Sequence, residues 1–358
     1  MRPAGKAMVF EKVETPFVAT DFILPQLKTG EVLVENTYST VCTSDLHTYY
    51  GKRSGCTHSV LGHEVIGRIT DLGDGNPKDY FGEQLAKGDL ITWSVYAYDP
   101  NSENSKKGFP QKSEGLYKYG HEQISEEHQF NGGFGTHTHL RSGTAIFKLP
   151  RDIQPKVAAP INCSHATIAG AIRLAGDLRD KKVLVNGTGM LGLSACAQAN
   201  YYGAKSVWAQ DIREEKLAQA LDFGASQTFL VGKDPIQEAS VTSGGMDVVI
   251  ETSGTPEAIE QCFDLLAIGG VLVLVGSVFP QRDCQLNAEK LVRKLLTVKG
   301  LHNYIPEDLG RAIDFIDASH HRFSFEKLVG MEYPLTQLDT AFEMGHSGKY
   351  FRIGVFQG

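Results

Sequence analysis

The sequence predicts an α/β chain in two parts, a β-rich segment followed by a doubly wound parallel sheet. Three observations carry the prediction. Residues 1–155 hold short apolar or alternating runs separated by turn residues. Residues 156–300 alternate strand-like and helix-like runs, the order that gives parallel βαβ units. Between a strand-like run, Asp180-Lys-Lys-Val-Leu-Val-Asn186, and a helix-like run, Leu193–Tyr202, lies a glycine turn, Gly187-Thr-Gly-Met-Leu-Gly192.

In the first part the runs are Ala7–Phe10, Glu31–Tyr38, Glu64–Asp71, Asp89–Val95, Gly133–Leu140 and Ala145–Leu149. Glycines at 30, 62, 67, 73 and 88 suit the bends of a small barrel. In the second part the elements are Lys182–Asn186, Leu191–Tyr202, Ser206–Gln210, Glu214–Phe223, Thr228–Val231, Met246–Thr252, Pro256–Leu266, Val271–Ser277 and Leu286–Leu295. Residues 301–358 hold a helical stretch, Glu307–Ala318, and a strand, Tyr350–Phe356, and are expected to complete the first domain. Val271–Val275 reads either as an exposed edge strand pairing across a dimer or as a covered internal strand. A homo-oligomer, dimer or tetramer, is expected.

A G-x-G-x-x-G run gains meaning from its surroundings. Here it joins strand to helix, and Asp211 ends the next apolar strand about 20 residues on, which makes the dinucleotide-binding fingerprint. Gly187 permits the tight turn, Gly189 lets backbone approach a pyrophosphate, and Gly192 lets helix and strand pack closely. Met190 and Leu191 lie in the same phosphate-facing turn, where the helix N-terminus offers unpaired N–H groups. Asp211 would accept from the ribose hydroxyls and repel a 2′-phosphate, so NAD is expected over NADP. Arg213 softens that preference. An ordinary glycine turn is the alternative.

Composition excludes other classes. The chain has 358 residues, 41% of them apolar, enough for two domains with sizeable cores. Net charge is −7 and the basic residues are dispersed, which argues against nucleic acid or an anionic membrane as partner. No apolar run reaches the length of a membrane span, and the N-terminus has no signal-peptide apolar region. Six scattered cysteines argue against a disulfide framework, so a reducing, cytoplasmic setting is expected.

The β-rich part also carries Val41-Cys-Thr-Ser-Asp-Leu-His47 and Leu61-Gly-His-Glu64, and Cys163 follows in Ala159-Pro-Ile-Asn-Cys-Ser-His165. Thiolate and imidazole are zinc ligands, and three protein ligands with an open fourth position mark a catalytic site. Taken singly, each of these residues reads as well as a buried core side chain.

Together the pieces Cys42-x-Ser44-Asp45-x-His47, Gly62-His63-Glu64, Gly88-Asp89, Cys163, Gly187-x-Gly189-x-x-Gly192 and Asp211 resemble the zinc-dependent medium-chain alcohol dehydrogenases. The resemblance implies a GroES-like catalytic domain over 1–155, completed by 301–358, and a Rossmann NAD-binding domain over 156–300. It implies Cys42, His63 and Cys163 as zinc ligands, with Glu64 as an alternate ligand. Ser44 would contact the substrate oxygen, His47 would end a proton relay, and Asp45 would support the ligands. Members commonly hold a structural zinc on four cysteines. The corresponding positions here align to Asp99, Ser102, Ser105 and Ser113, so one catalytic zinc and no structural zinc is expected. Gly108–Lys112, Tyr117–Glu122 and Pro160–Cys163 look most like a subgroup associated with phosphonate catabolism.

The expected reaction is hydride transfer between a small alcohol, such as a hydroxyalkyl phosphonate or a polyol, and NAD. A zinc-free quinone or enone reductase, or a non-catalytic NAD(H)-binding protein, are the competing readings. Gly51–Ser54, Lys118, His121 and His302 offer an anion pocket, with a solvated surface as the plainer reading. His137 and His139 share one face of a strand, which reads as a polar strand face before a pair of metal ligands. Cys196, Cys262 and Cys284 are expected in the core.

Overall fold

The computed structural model describes residues 4–357. The chain forms two compact units. One runs through Cys163 and resumes over Ile305–Asp317 and from Phe325 onward; the other comprises Ser164–Tyr304 and Ala318–Ser324. The expected divisions stood at 155/156 and 300/301. The N-terminal expectation of no signal peptide rests in part on residues 1–3, which lie outside the described residues.

The first unit is built on antiparallel strands. Val32–Val41 is its spine, pairing with Glu64–Leu72, with His137–Leu140 and with the C-terminal strand Arg352–Phe356. That last pairing brings the end of the chain back onto the first domain. Leu90–Ala97 extends the sheet and pairs with Thr144–Lys148. A smaller sheet joins Ala4–Phe10 to Val18–Ile23 and Ser59–Val60. The core between these layers is aromatic and aliphatic, with Phe10, Phe17, Tyr49, Phe134 and Phe342 in one cluster and Trp93, Tyr119 and Ile91 in another. Leu90–Ala97 is buried along almost its whole length, covered on both faces.

The second unit is a six-stranded parallel sheet in the order Gln227–Leu230, Ser206–Asp211, Lys182–Asn186, Met246–Glu251, Leu266–Leu274, Thr297–Gly300. The central Val183-Leu184-Val185 is wholly buried, as a strand covered on both faces must be. Leu266–Leu274 lies inside the sheet, and Thr297–Gly300 forms the edge, so Val271–Val275 is the covered strand of the two readings. No helix among the described residues is long and apolar enough to cross a membrane.

Among the described residues six α-helices escaped the sequence reading: Thr43–Tyr49, Glu103–Lys106, Pro155–Ala158, Ser164–Ala175, Ile236–Ser243 and Leu338–His346. The first is short and opens on β-branched and polar residues, so no apolar period announces it. Cys284 corrects an expectation: it is exposed, because the coil around it leaves its apolar neighbours uncovered. Cys196 and Cys262 are buried as expected.

Candidate metal centre and nucleotide turn

The helix Thr43–Tyr49 begins directly after Cys42, so Cys42 ends the spine strand and Ser44 and His47 stand one turn apart on the helix. Glu64 opens the adjoining strand Glu64–Leu72, with His63 directly before it, and Cys163 immediately precedes the helix Ser164–Ala175. The fold brings one ligand atom from each of Cys42, His63, Glu64 and Cys163 to within 4.8 Å of one another. Cys163 Sγ lies 3.4 Å from His63 Nε2, and Ser44 Oγ lies 3.5 Å from the same nitrogen.

Tetrahedral ligands at roughly 2.0–2.3 Å from a zinc ion stand about 3.5 Å apart. The sulfur–nitrogen separation matches that spacing. Two sulfurs, an imidazole and a carboxylate gathered in a buried spot are otherwise costly, and they match zinc by donor type. The residues present therefore fit zinc.

Charge at the site is arranged by its neighbours. The Cys163 thiol beside Cys42, with Arg352 and His63, holds the Cys42 thiol well below its usual range despite burial. Burial works against protonation of His63, but Asp45 and Cys42 carry it up to about 10. Asp45 Oδ2 accepts from Cys42 N at 2.9 Å, Asp45 Oδ1 accepts from Gly62 N at 3.3 Å, and the same oxygen makes an ionic contact with His63 Nδ1 at 3.3 Å. One carboxylate thus orders both ligand loops, as metal centres require of their supporting residues. Asn162 adds a further tie, its Nδ2 donating to His63 O at 2.9 Å and to Trp93 O at 3.0 Å.

Sequence reasoning missed Arg352. It donates to Glu64 through Nε at 2.6 Å and Nη2 at 2.8 Å, and Nη2 reaches Cys42 Sγ at 3.4 Å. Thr40 Oγ1 also donates to Glu64, at 2.5 Å. Burial pushes the Glu64 carboxyl up, and Arg352 opposes it. No local signal marks Arg352, because it meets the site from 288 residues away.

At the former zinc-lobe positions, Ser102 Oγ donates to Ser105 Oγ at 2.9 Å, and Asp99 N donates to Ser113 Oγ at 3.0 Å. Hydrogen bonds among these side chains and their backbone close the loop.

In the second unit the glycine turn adopts its expected form. Gly187 has φ +87°, the helix Met190–Tyr201 starts after Gly189, and a Cβ at Gly192 would stand 1.8 Å from Gly187 O. A Cβ at Gly189 would meet nothing within 4 Å, the open approach a phosphate needs. Met190 and Leu191 form the first turn of that helix. Asp211 ends its strand and folds back, its Oδ2 accepting from Thr188 N at 2.7 Å and Thr188 Oγ1 at 2.9 Å. Asp211 Oδ1 accepts from Arg213 N at 3.0 Å. Beside the turn, the buried Glu251 accepts from Ser253 N at 2.7 Å and Gly254 N at 2.9 Å, a knot that no motif had announced.

His139 is paired with Glu31 at 2.9 Å, and His137 Nδ1 contacts Thr136 Oγ1 at 2.9 Å. Neither joins the metal-type cluster found among the described residues. His302 lies in the second unit, Arg53, Lys118 and His121 in the first.

A β-rich unit bearing a Cys₂His cluster and a second unit built on a nucleotide-type parallel sheet, in one chain, define a zinc-type dehydrogenase. Residues 28–151 match the alcohol dehydrogenase GroES-like domain, and residues 191–318 match the zinc-binding dehydrogenase domain. The chain belongs to the zinc-binding medium-chain alcohol dehydrogenase family. A sorbitol dehydrogenase of Halalkalibacterium halodurans is 28% identical over 90% of each chain. An L-threonine 3-dehydrogenase of Idiomarina loihiensis is 25% identical over 92% of this chain and 94% of its own. The crystal structure of an alcohol dehydrogenase from Thermotoga maritima superimposes with a TM-score of 0.93 at 26% identity, covering 99% of this chain and 100% of that one.

Proposed function

We propose that the protein is a zinc- and NAD-dependent dehydrogenase that interconverts a small alcohol and its carbonyl compound. The observation that carries this is the convergence of Cys42, His63, Glu64 and Cys163 within 4.8 Å, in a chain that also holds the nucleotide fingerprint. When bound, zinc supplies Lewis-acid polarisation of the alcohol oxygen, and NAD supplies the acceptor for the hydride.

The chain's own residues do the rest. Cys42, His63 and Cys163 hold the ion. Arg352 engages both Glu64 oxygens, which favours a three-ligand set with one position left for substrate. Ser44 is placed to take the alcohol proton, and His47, one turn along the same helix, to pass it to solvent. Burial, then Lys52, holds His47 below the usual imidazole range, so it stands neutral at pH 7 and able to accept. Gly187, Gly189, Met190, Leu191 and Gly192 cradle the coenzyme phosphates, and Asp211 with Arg213 sets the choice of NAD over NADP.

The Asp99, Ser102, Ser105 and Ser113 set argues for one zinc per chain and no structural zinc. A hydroxyalkyl phosphonate or a polyol suits the site as substrate, and the cytoplasm suits its free thiols. A zinc-free reductase or a passive NAD(H) binder has no use for a buried Cys₂His cluster. Metal analysis and NAD reduction across a panel of alcohols test the proposal. One zinc per chain is expected, and Cys42→Ala and His63→Ala should lose both zinc and turnover. Undiminished turnover in a zinc-free variant would overturn it.

A further inference from the structure

We propose that the substrate alcohol carries a compact oxyanion, held by Arg53, Lys118 and His121 beside the metal centre. The inference rests on the dehydrogenase reading above and names its substrate class.

The turn after the short strand Tyr117–Lys118 is pressed onto the loop that bears His63. Gly120, at φ +76°, allows this: a Cβ there would stand 2.5 Å from Gly62 O. His121 N donates to Lys118 O at 3.2 Å, so both side chains leave one turn. The His121 ring consequently lies 5.5 Å from the His63 ring. Arg53 comes from a second segment, just beyond the helix that carries Ser44 and His47, its N donating to His47 O at 3.0 Å. Its charge reaches His47, Lys118 and His121. Cationic and imidazole groups thus approach the metal cluster from two elements.

These cations lack matching acids. Among the described residues, neither Arg53 nor Lys118 has a carboxylate within ion-pair distance. Glu122 acts on Lys118 only weakly, and its Oε1 already accepts from the backbone N of Lys118 at 3.0 Å. Half-burying positive charge without a partner costs stability, so an anion supplied by a ligand is the natural counter-charge. Guanidinium and ammonium groups bind carboxylate and phosphonate oxygens well, the guanidinium in two-point fashion. Burial, then Arg53 and Lys112, brings Lys118 down to about 8, as unneutralised crowding should. His121 adds an imidazole ring beside that of His63, and an imidazole offers at least one N–H donor in either protonation state. Because the turn touches the His63 loop, anion and hydroxyl must be only a few bonds apart.

The test compares kcat/KM at pH 7 for 2-hydroxyethylphosphonate, 3-hydroxypropionate and the neutral 1-propanol. At least one anionic alcohol should exceed 1-propanol, and the two arms tell phosphonate from carboxylate. Arg53→Gln and Lys118→Gln should each lower the anionic-to-neutral ratio about tenfold or more, the weight of one charge-assisted hydrogen bond, and Arg53→Lys should restore part of it. Calorimetric titration with ethylphosphonate and propionate, which lack the hydroxyl, reads the pocket without turnover; binding should weaken in Lys118→Gln. Turnover of 1-propanol with no anionic preference, or ratios unmoved by either variant, would overturn this inference and leave the dehydrogenase reading standing. An Arg53→Gln effect confined to KM for NAD would overturn it too, by assigning Arg53 to the coenzyme. If no alcohol reduces NAD, the dehydrogenase reading fails, and the titrations still decide whether the anion site exists.

Discussion

At Asp45 a single carboxylate holds Cys42 N, Gly62 N and the His63 ring. Its removal leaves the ligands in place and their orientation loose. Asp45→Ala should therefore weaken zinc binding by about 10–100-fold, the usual effect of losing such a support, as competition with a chelator would measure. Retained affinity would show that the loops hold themselves. A second residue-scale prediction concerns His139 and Glu31, both buried. Burial holds His139 below its usual range despite the pull of Glu31. Burial pushes Glu31 up, but the N–H of Lys28 and His139 outweigh it and set it below its usual range. For His139 the unfolded chain binds a proton that the folded chain refuses, so stability is lost as pH falls below about 6.5. For Glu31, with a depressed folded value, stability is present above its unfolded value and is lost as pH falls through the folded one. Both effects run the same way. Denaturant midpoints should fall between pH 7.5 and pH 5, the His139 window, and less steeply in His139→Gln; equal slopes would remove His139 as the cause.

Among elements, the strand–turn–helix over Lys182–Tyr201 was legible because its physics is local. Gly187 takes a positive φ, Gly189 leaves the turn open, and Gly192 has no room for a side chain against Gly187 O. The helix Thr43–Tyr49 was not legible, since seven residues show no period and its place is set by the ligand loop it follows. The Asp99–Ser113 lobe shows the reverse case. Hydroxyls and backbone groups are hydrogen-bonded to one another at the positions aligned to a four-cysteine zinc lobe. Placing cysteines at all four positions, Asp99→Cys, Ser102→Cys, Ser105→Cys and Ser113→Cys, should raise the zinc content from one to two per chain by metal analysis. An unchanged content would mean that the serine lobe has moved away from ligand geometry.

For the whole molecule, coenzyme choice can be read as stability. A ligand that binds only the folded chain stabilises it by about 2.7 kcal/mol at 100 times its Kd. NAD should raise the unfolding temperature by a few degrees, and NADP at equal concentration should raise it less. Asp211→Ala should narrow that gap, because the carboxylate that repels a 2′-phosphate is gone. Equal shifts with both coenzymes in the parent chain would refute the role given to Asp211.

The sequence by itself determined the two-part architecture, the parallel order of the second unit and the identity of the nucleotide turn. These follow from residue period and from glycine sterics, which act over a few residues. The family resemblance picked His63 out of 12 histidines, but only the tertiary structure brings it against Cys163, 100 residues further along the chain. Tertiary structure also decided that Glu64 is claimed by Arg352 and that Lys118 and His121 stand over the His63 loop. A buried charge takes whatever partner the packed strands bring to it, and that partner leaves no trace in the spacing of its neighbours.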